Sequence, residues 1–135
     1  MLRSISLIPG ALTVLLLAGC GLDGREAPTL LRSPSGAWDV RVYESEFGDF
    51  THLAGIVYLD LMDAKGRKID SQRTEASTNS RWAVGWLIGT DTLVLNSRDI
   101  GVRAWWCDGS GFTEVGLDSA VQRTAEEILQ TKYGQ

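Results

Sequence analysis

The sequence predicts an α+β fold: a mostly antiparallel β meander of six or seven strands followed by one C-terminal helix. Two observations carry that prediction. Between residues 37 and 115, apolar residues recur at every second position in short runs, and Gly-, Asp- and Ser-rich turns separate the runs. That is the signature of half-buried strands joined as hairpins. Over residues 119–132 the period changes, and Val121, Ala125, Ile128 and Leu129 form one helical stripe with charged residues opposite. Strands in succession and then a helix make an α+β arrangement. The pattern leaves open whether the sheet stays open or closes into a barrel.

In chain order, residues 21–36 read as a tether, because Gly21, Gly24, Pro28, Ser33, Pro34, Ser35 and Gly36 break regular structure, with Leu30 and Leu31 available to dock on the domain. Residues 37–44 alternate: Trp38, Val40 and Val42 share one face, Asp39, Arg41 and Tyr43 the other. Residues 44–52 are polar and form a loop or wide hairpin. Residues 53–62 give a second strand, with Val57, Leu59 and Leu61 on one face and Ile56, Tyr58 and Asp60 on the other. Apolar residues on both faces predict a central position. Asp63-Ala64-Lys65-Gly66 fits a tight turn with Gly66 at positive φ.

Residues 68–73 then return as a short edge strand around Ile69, and residues 75–80 read as a loop. Trp82, Val84 and Trp86 alternate next, and residues 89–92 turn the chain into a strand through Leu93 and Leu95. In the following strand Val102, Ala104 and Trp106 alternate with Arg103, Trp105 and Cys107. The turn Asp108-Gly109-Ser110-Gly111 sends the chain back through Phe112 and Val115. Ser119 with Gln122 fits a capping box at the helix start, and Gly134 ends the helix.

The N-terminus carries a different signal. Arg3 is followed by an apolar run interrupted by Pro9-Gly10 and closing on Leu17-Ala18-Gly19-Cys20. The run is shorter than the roughly 20 residues a membrane-spanning helix needs, and no stop-transfer pattern follows, as in a cleaved secretory signal. Leu17-Ala18-Gly19-Cys20 resembles the lipobox of bacterial lipoproteins position by position. The resemblance implies a signal peptide over 1–19, acylation of Cys20 with palmitate-class chains, and a lipidated N-terminus and tether over 20–36. A single β-rich domain would then occupy 37–135. Each buried methylene contributes about 0.8 kcal/mol, so two or three chains hold a domain on a membrane without crossing it. Gly21 stands where an Asp would favour the inner membrane in enterobacterial members of that class. The expected address is therefore the outer membrane, facing the periplasm.

The composition excludes several function classes. The chain carries 13 basic and 17 acidic residues, a net charge of −4. It has no Lys/Arg stripe that would release counterions from phosphates, which argues against nucleic acid. His52 is the single histidine, so a Ser-His-Asp or Cys-His arrangement would have to use it, and it falls in a polar loop. With Cys20 acylated, one histidine and Cys107 cannot build a zinc site. Glu44, Glu46 and Asp49 cluster in one loop and Asp60 with Asp63 in another, without the spacing of an EF-hand. No metal and no other cofactor is expected. Cys107 has no intrachain partner. It reads either as a buried small apolar residue or as a thiol that is reactive or forms an intermolecular disulfide.

Five tryptophans are the notable excess. Trp38, Trp82 and Trp86 fall on apolar strand faces. Trp105 and Trp106 are adjacent, so on a strand they point to opposite sides. One of them leaves the core unless a second layer covers it. Trp105, Trp106, Arg103 and Tyr43 are therefore the candidate binding surface, since aromatics and arginine anchor protein interfaces. The expected function is a non-enzymatic, lipid-anchored domain that binds another protein, of inhibitor or immunity type. A glycan or small-molecule module stacking its ligand on an exposed indole is the alternative, and a small hydrolase using acids such as Glu44 or Asp60 is a third class. Lysozyme-inhibitor lipoproteins share this size and address. Their Ser-Gly loop has a counterpart in Ser110-Gly111, whereas their structural disulfide has none. Ser33, Pro34, Gly36, Trp38, Trp86 and Leu93 form a pattern similar to a loose group of small secreted bacterial β-sheet proteins with no assigned function.

Overall fold

The computed structural model describes residues 28–45 and 55–134. Among these residues eight strands run in order: β1 (Thr29–Arg32), β2 (Trp38–Ser45), β3 (Ile56–Asp63), β4 (Lys68–Ser77), β5 (Trp82–Trp86), β6 (Thr92–Ser97), β7 (Gly101–Asp108) and β8 (Gly111–Glu114). One helix, α1 (Ser119–Tyr133), follows. The strands form two four-stranded antiparallel sheets, each a meander, β1-β2-β3-β4 and β5-β6-β7-β8. The α+β class is as expected. The strand count is higher than six or seven, and the meander does not close into a barrel, because it breaks between β4 and β5 into separate sheets.

The alternation of the strands builds the core between the sheets. Val40 and Val42 of β2 stand beside Leu61 and Leu59 of β3, and these face Leu93 and Leu95 of β6 with Trp105 and Cys107 of β7. Burying a Leu or Val side chain stabilises by roughly 1.5–3 kcal/mol. The second sheet is covered on its other face too. Val121 and Ala125 of α1 pack on Val94 and Ala104, with Leu87, Val102, Val115 and Ile128 around them. Asn96, buried under the helix, donates to the Ala125 carbonyl at 2.8 Å, which satisfies a polar group inside that layer. The order of layers is thus sheet, sheet, helix.

Three local expectations need correction. Residues 29–32 are a strand within the expected tether: they pair with residues 39–42 of β2, and Leu31 packs on the core. β4 runs to Ser77 rather than ending at Arg73. Its inward residues Thr74 and Ala76 are fully buried but small, so they gave no apolar period, and register shifts against β3 interrupt the alternation. The helix cap is Asp118, whose Oδ1 accepts from the Val121 N–H at 2.9 Å, one residue before the expected Ser119. Other readings hold: β3 is central in its sheet, β4 is an edge, and Gly66 turns at φ +81°.

Gly85 of β5 sets how close the helix lies. A Cβ there would sit 2.8 Å from Cγ2 of Ile128. A β-branched residue in a helix has one strongly preferred rotamer and cannot swing away. Gly85→Ala is therefore expected to destabilise the domain by about 1–3 kcal/mol in urea unfolding, with most of the loss recovered in Gly85→Ala/Ile128→Ala relative to Ile128→Ala alone. An unchanged midpoint for Gly85→Ala would mean the helix is not seated there.

Candidate binding surface

The strand register separates the two adjacent tryptophans. Trp105 is opposite Leu93 and faces the other sheet; Trp106 is opposite Thr92 and faces the helix layer. Trp105 is 1% exposed and meets Phe112 edge-on at 6.2 Å between ring centroids. Trp106 is 42% exposed because the helix covers only part of that face. Its indole N–H donates to the Asp108 carboxylate at 3.1 Å. Ser110 donates its hydroxyl and its backbone N–H to the same carboxylate, and with the Trp106 bond these hold Asp108 below the usual carboxylate range. The indole is thereby fixed in orientation.

Beside Trp106 lies an open groove of about 630 Å³ between the end of β8 and the start of α1. Leu87, Val115, Leu117 and Val121 line it, with Thr92 and Asp118 as the polar members. Leu117 is 44% exposed. The groove therefore presents an apolar surface with one aromatic wall and a helix cap at its rim. It can take an apolar or aromatic side chain. Among the described residues that line it, Asp118 is the one titratable group.

Of the four residues expected at a binding surface, Trp106 alone lies on this groove. Arg103 is on the opposite face of β7, with its guanidinium 4.9 Å from the Trp105 ring centroid. It donates to Glu114 at 2.8 and 3.0 Å and to the Thr74 carbonyl of the other sheet at 3.3 Å, so it acts as a tie between sheets. Tyr43 is on the outer face of the first sheet, stacked on Tyr58 at 5.5 Å. Cys20, His52, Glu46 and Asp49 lie outside the described residues. Leu117 and Val115 complete the groove; the sequence reading placed Val115 only on the returning strand and missed Leu117, because it falls in a connection with no period of its own. Two apolar residues flanking Gly116 in a short link were the available signal.

Asp60, one of the acids considered for hydrolysis, is fully buried on the outer face of β3. Arg41 donates to it at 2.5 Å, Ser71 at 2.7 Å and the Tyr43 hydroxyl at 3.3 Å. Burial pushes the carboxyl up, but the hydrogen bonds from Ser71 and Arg41 and the Arg41 charge outweigh it and hold the group below its ordinary value. A depressed folded-state pKa means the unfolded chain binds the proton more readily. The stabilisation is thus present above the unfolded pKa of about 3.9 and is lost as pH falls through the folded value. Asp60→Asn is expected to lower the melting temperature at pH 7 and to flatten its fall between pH 5 and pH 2. Parallel curves for the two proteins would remove Asp60 from the acid response.

Cys107 is 1% exposed in the inter-sheet core. Burial, with Asp91 adding, pushes its thiol up to about 12. The folded protein is expected to resist iodoacetamide at pH 8 and to react once denatured; rapid labelling of the native state would contradict this placement. Among the described residues no cluster of His, Cys, Asp and Glu could hold a metal ion, and no helix is long and apolar enough to cross a membrane.

The fold and groove define a two-sheet antiparallel β domain with a helix on one outer face and a partly open aromatic groove beside that helix. Comparisons with protein-family models, curated proteins and solved structures returned no match.

Proposed function

We propose that this chain is a bacterial envelope lipoprotein, anchored through acylated Cys20 to the outer membrane and facing the periplasm. We read its domain as a non-enzymatic module that binds another protein. The observation that carries the binding half is the pairing of Trp106 with Leu117, both more than two-fifths exposed and both on one groove. Indoles that stay partly exposed beside apolar neighbours are what interfaces bury. The groove's lining supports a peptide over a sugar: a glycan needs several polar partners, and Thr92 is nearly buried while Asp118 is engaged in capping the helix. An inhibitor or immunity role fits a small, anchored domain whose working surface is apolar. The lipobox supports the anchor.

Two experiments test the reading. Alkyne-palmitate labelling of the full chain in bacteria is expected to tag the protein and to fail in Cys20→Ala. In-cell crosslinking of the tagged protein, read by mass spectrometry, is expected to give one prominent partner that disappears in Trp106→Ala and persists in a variant of exposed Glu126. A partner that ignores Trp106 would remove the groove as the docking site, and quenching of the indoles by cell-wall fragments with no protein partner would transfer the groove to the glycan reading.

A further inference from the structure

The two sheets handle their edges unevenly. An unpaired strand edge is a template for another strand, and folds blunt it with side chains or kinks. On β4, Arg103 donates to the Thr74 carbonyl, Asp99 accepts from the Ser77 N–H, and Glu75 kinks the strand at φ +69°. On β8, Asp70 accepts from the Phe112 N–H at 2.9 Å. β1 is only four residues long. On β5 the blunting covers one end. The Trp82 N–H donates to the Tyr133 hydroxyl at 3.0 Å, and its carbonyl accepts from Lys132 at 2.8 Å and from Tyr133 at 3.2 Å.

The rest of this β5 edge meets no partner strand among the described residues. The bonds from Leu87 to Thr92 and from Arg98 to Arg81 fix the phase of its ladder with β6. In that phase Ala83 and Gly85 bond inward, while Val84 and Trp86 aim their N–H and C=O groups outward. Neither pair of groups has a partner among the described residues. They face a groove of about 520 Å³ between β5, β1 and α1, walled by Leu31, Val42, Val84, Trp86 and Ile128. Ile88, at the end of that edge, is 88% exposed.

We infer that β5 pairs antiparallel with β5 of a second copy of this chain about a two-fold axis at Gly85. That register sets Val84 of each copy against Trp86 of the other. It uses all four open groups of each edge in four main-chain hydrogen bonds, and it places Ile88 against the other copy's Trp82, whose own edge groups are already capped. The pairing therefore stops where the blunting begins, and each exposed Ile88 covers the end of the other copy's groove. The open groups are self-complementary, which selects a second copy over a lipid or glycan. Interfaces carry about one hydrogen bond per 100–200 Å², so four correspond to roughly 400–800 Å². That is below the ~1,200 Å² of a stable dimer. The pair is weak in dilute solution and is strengthened wherever copies are confined together, as on a membrane.

The test co-expresses two differently tagged copies of the full chain, one carrying a photo-reactive residue at position 88. The expected product has twice the protomer mass, with the adduct mapped to the residues around Trp82 of the other copy. Val84→Pro removes an N–H that has no partner among the described residues, so it is expected to abolish the product while circular dichroism stays unchanged. Ile88→Lys, at an exposed position, is expected to cut co-purification of the two tags several-fold and serves if the proline variant misfolds. Trp106→Ala is expected to leave the product intact, which separates this pairing from the proposed partner groove. An adduct to lipid, to another protein alone or to a different face of the second copy would overturn the proposal.

Discussion

Trp105→Ala is expected to destabilise the domain by about 3–5 kcal/mol, the range for removing a large aromatic from a packed core. Small domains hold about 5–15 kcal/mol in all, so this one change removes a large share. The side chain is 1% exposed, lies among Leu93, Phe112 and the guanidinium of Arg103, and fills the space between the sheets. Its neighbour behaves differently. Trp106→Ala gives up one hydrogen bond to Asp108 and the packing of a half-exposed ring, and is expected to cost about 1 kcal/mol. Urea unfolding of the two variants side by side checks the contrast. Equal losses, or the larger loss at Trp106, would mean that β7 is rotated by one residue and every face assignment with it.

Gly111→Ala is the second large effect, at about 2–6 kcal/mol. Gly111 opens β8 at φ +115°, where a side chain is strained by about 1–3 kcal/mol. An added Cβ would also lie 2.5 Å from Oδ2 of Asp70 and 3.0 Å from its Cγ. Asp70 cannot swing aside freely, because that same Oδ2 accepts the Phe112 N–H and ties β8 to β4. Overpacking adds about 1–3 kcal/mol. Asp70→Ala removes the two closest contacts and leaves the strain and the 3.2 Å contact with the Cβ of residue 70, so Gly111→Ala measured in the Asp70→Ala background is expected to cost less than in wild type. The same cost in both backgrounds would clear the Asp70 carboxylate and leave φ and the contact with the Cβ of residue 70 as the cause.

Much of this fold is written in two periods. Trp38-Val40-Val42, Val57-Leu59-Leu61 and Trp82-Val84-Trp86 each have one apolar face, and each packs toward the inter-sheet core. The helix stripe of Val121, Ala125 and Ile128 packs on the outer face of the second sheet. What stayed hidden depends on the rest of the molecule. β1 has no period of its own and exists because β2 offers it an edge. The far half of β4 buries Thr74 and Ala76, residues too small to mark a face. Nothing local says that the chain changes sheets after Ser77. The Trp105/Trp106 choice was undecidable from alternation, because both faces of the second sheet are covered and both strand phases look apolar. Arg103 faces inward against expectation because Glu114 and the Thr74 carbonyl receive its guanidinium at the seam between sheets. The groove beside Trp106 combines a strand residue with a link and a helix start, and only the packing of α1 brings them together.

The most direct test of the proposed function places a photo-reactive residue at Leu117 in the full chain and illuminates living bacteria. Position 126, on the exposed side of the helix, serves as the comparison. The account predicts a discrete adduct from position 117 with one other protein, lost when Trp106 is also alanine and absent from position 126. No adduct at 117, or the same adducts from both positions in a protein shown to be folded and lipidated, would contradict it.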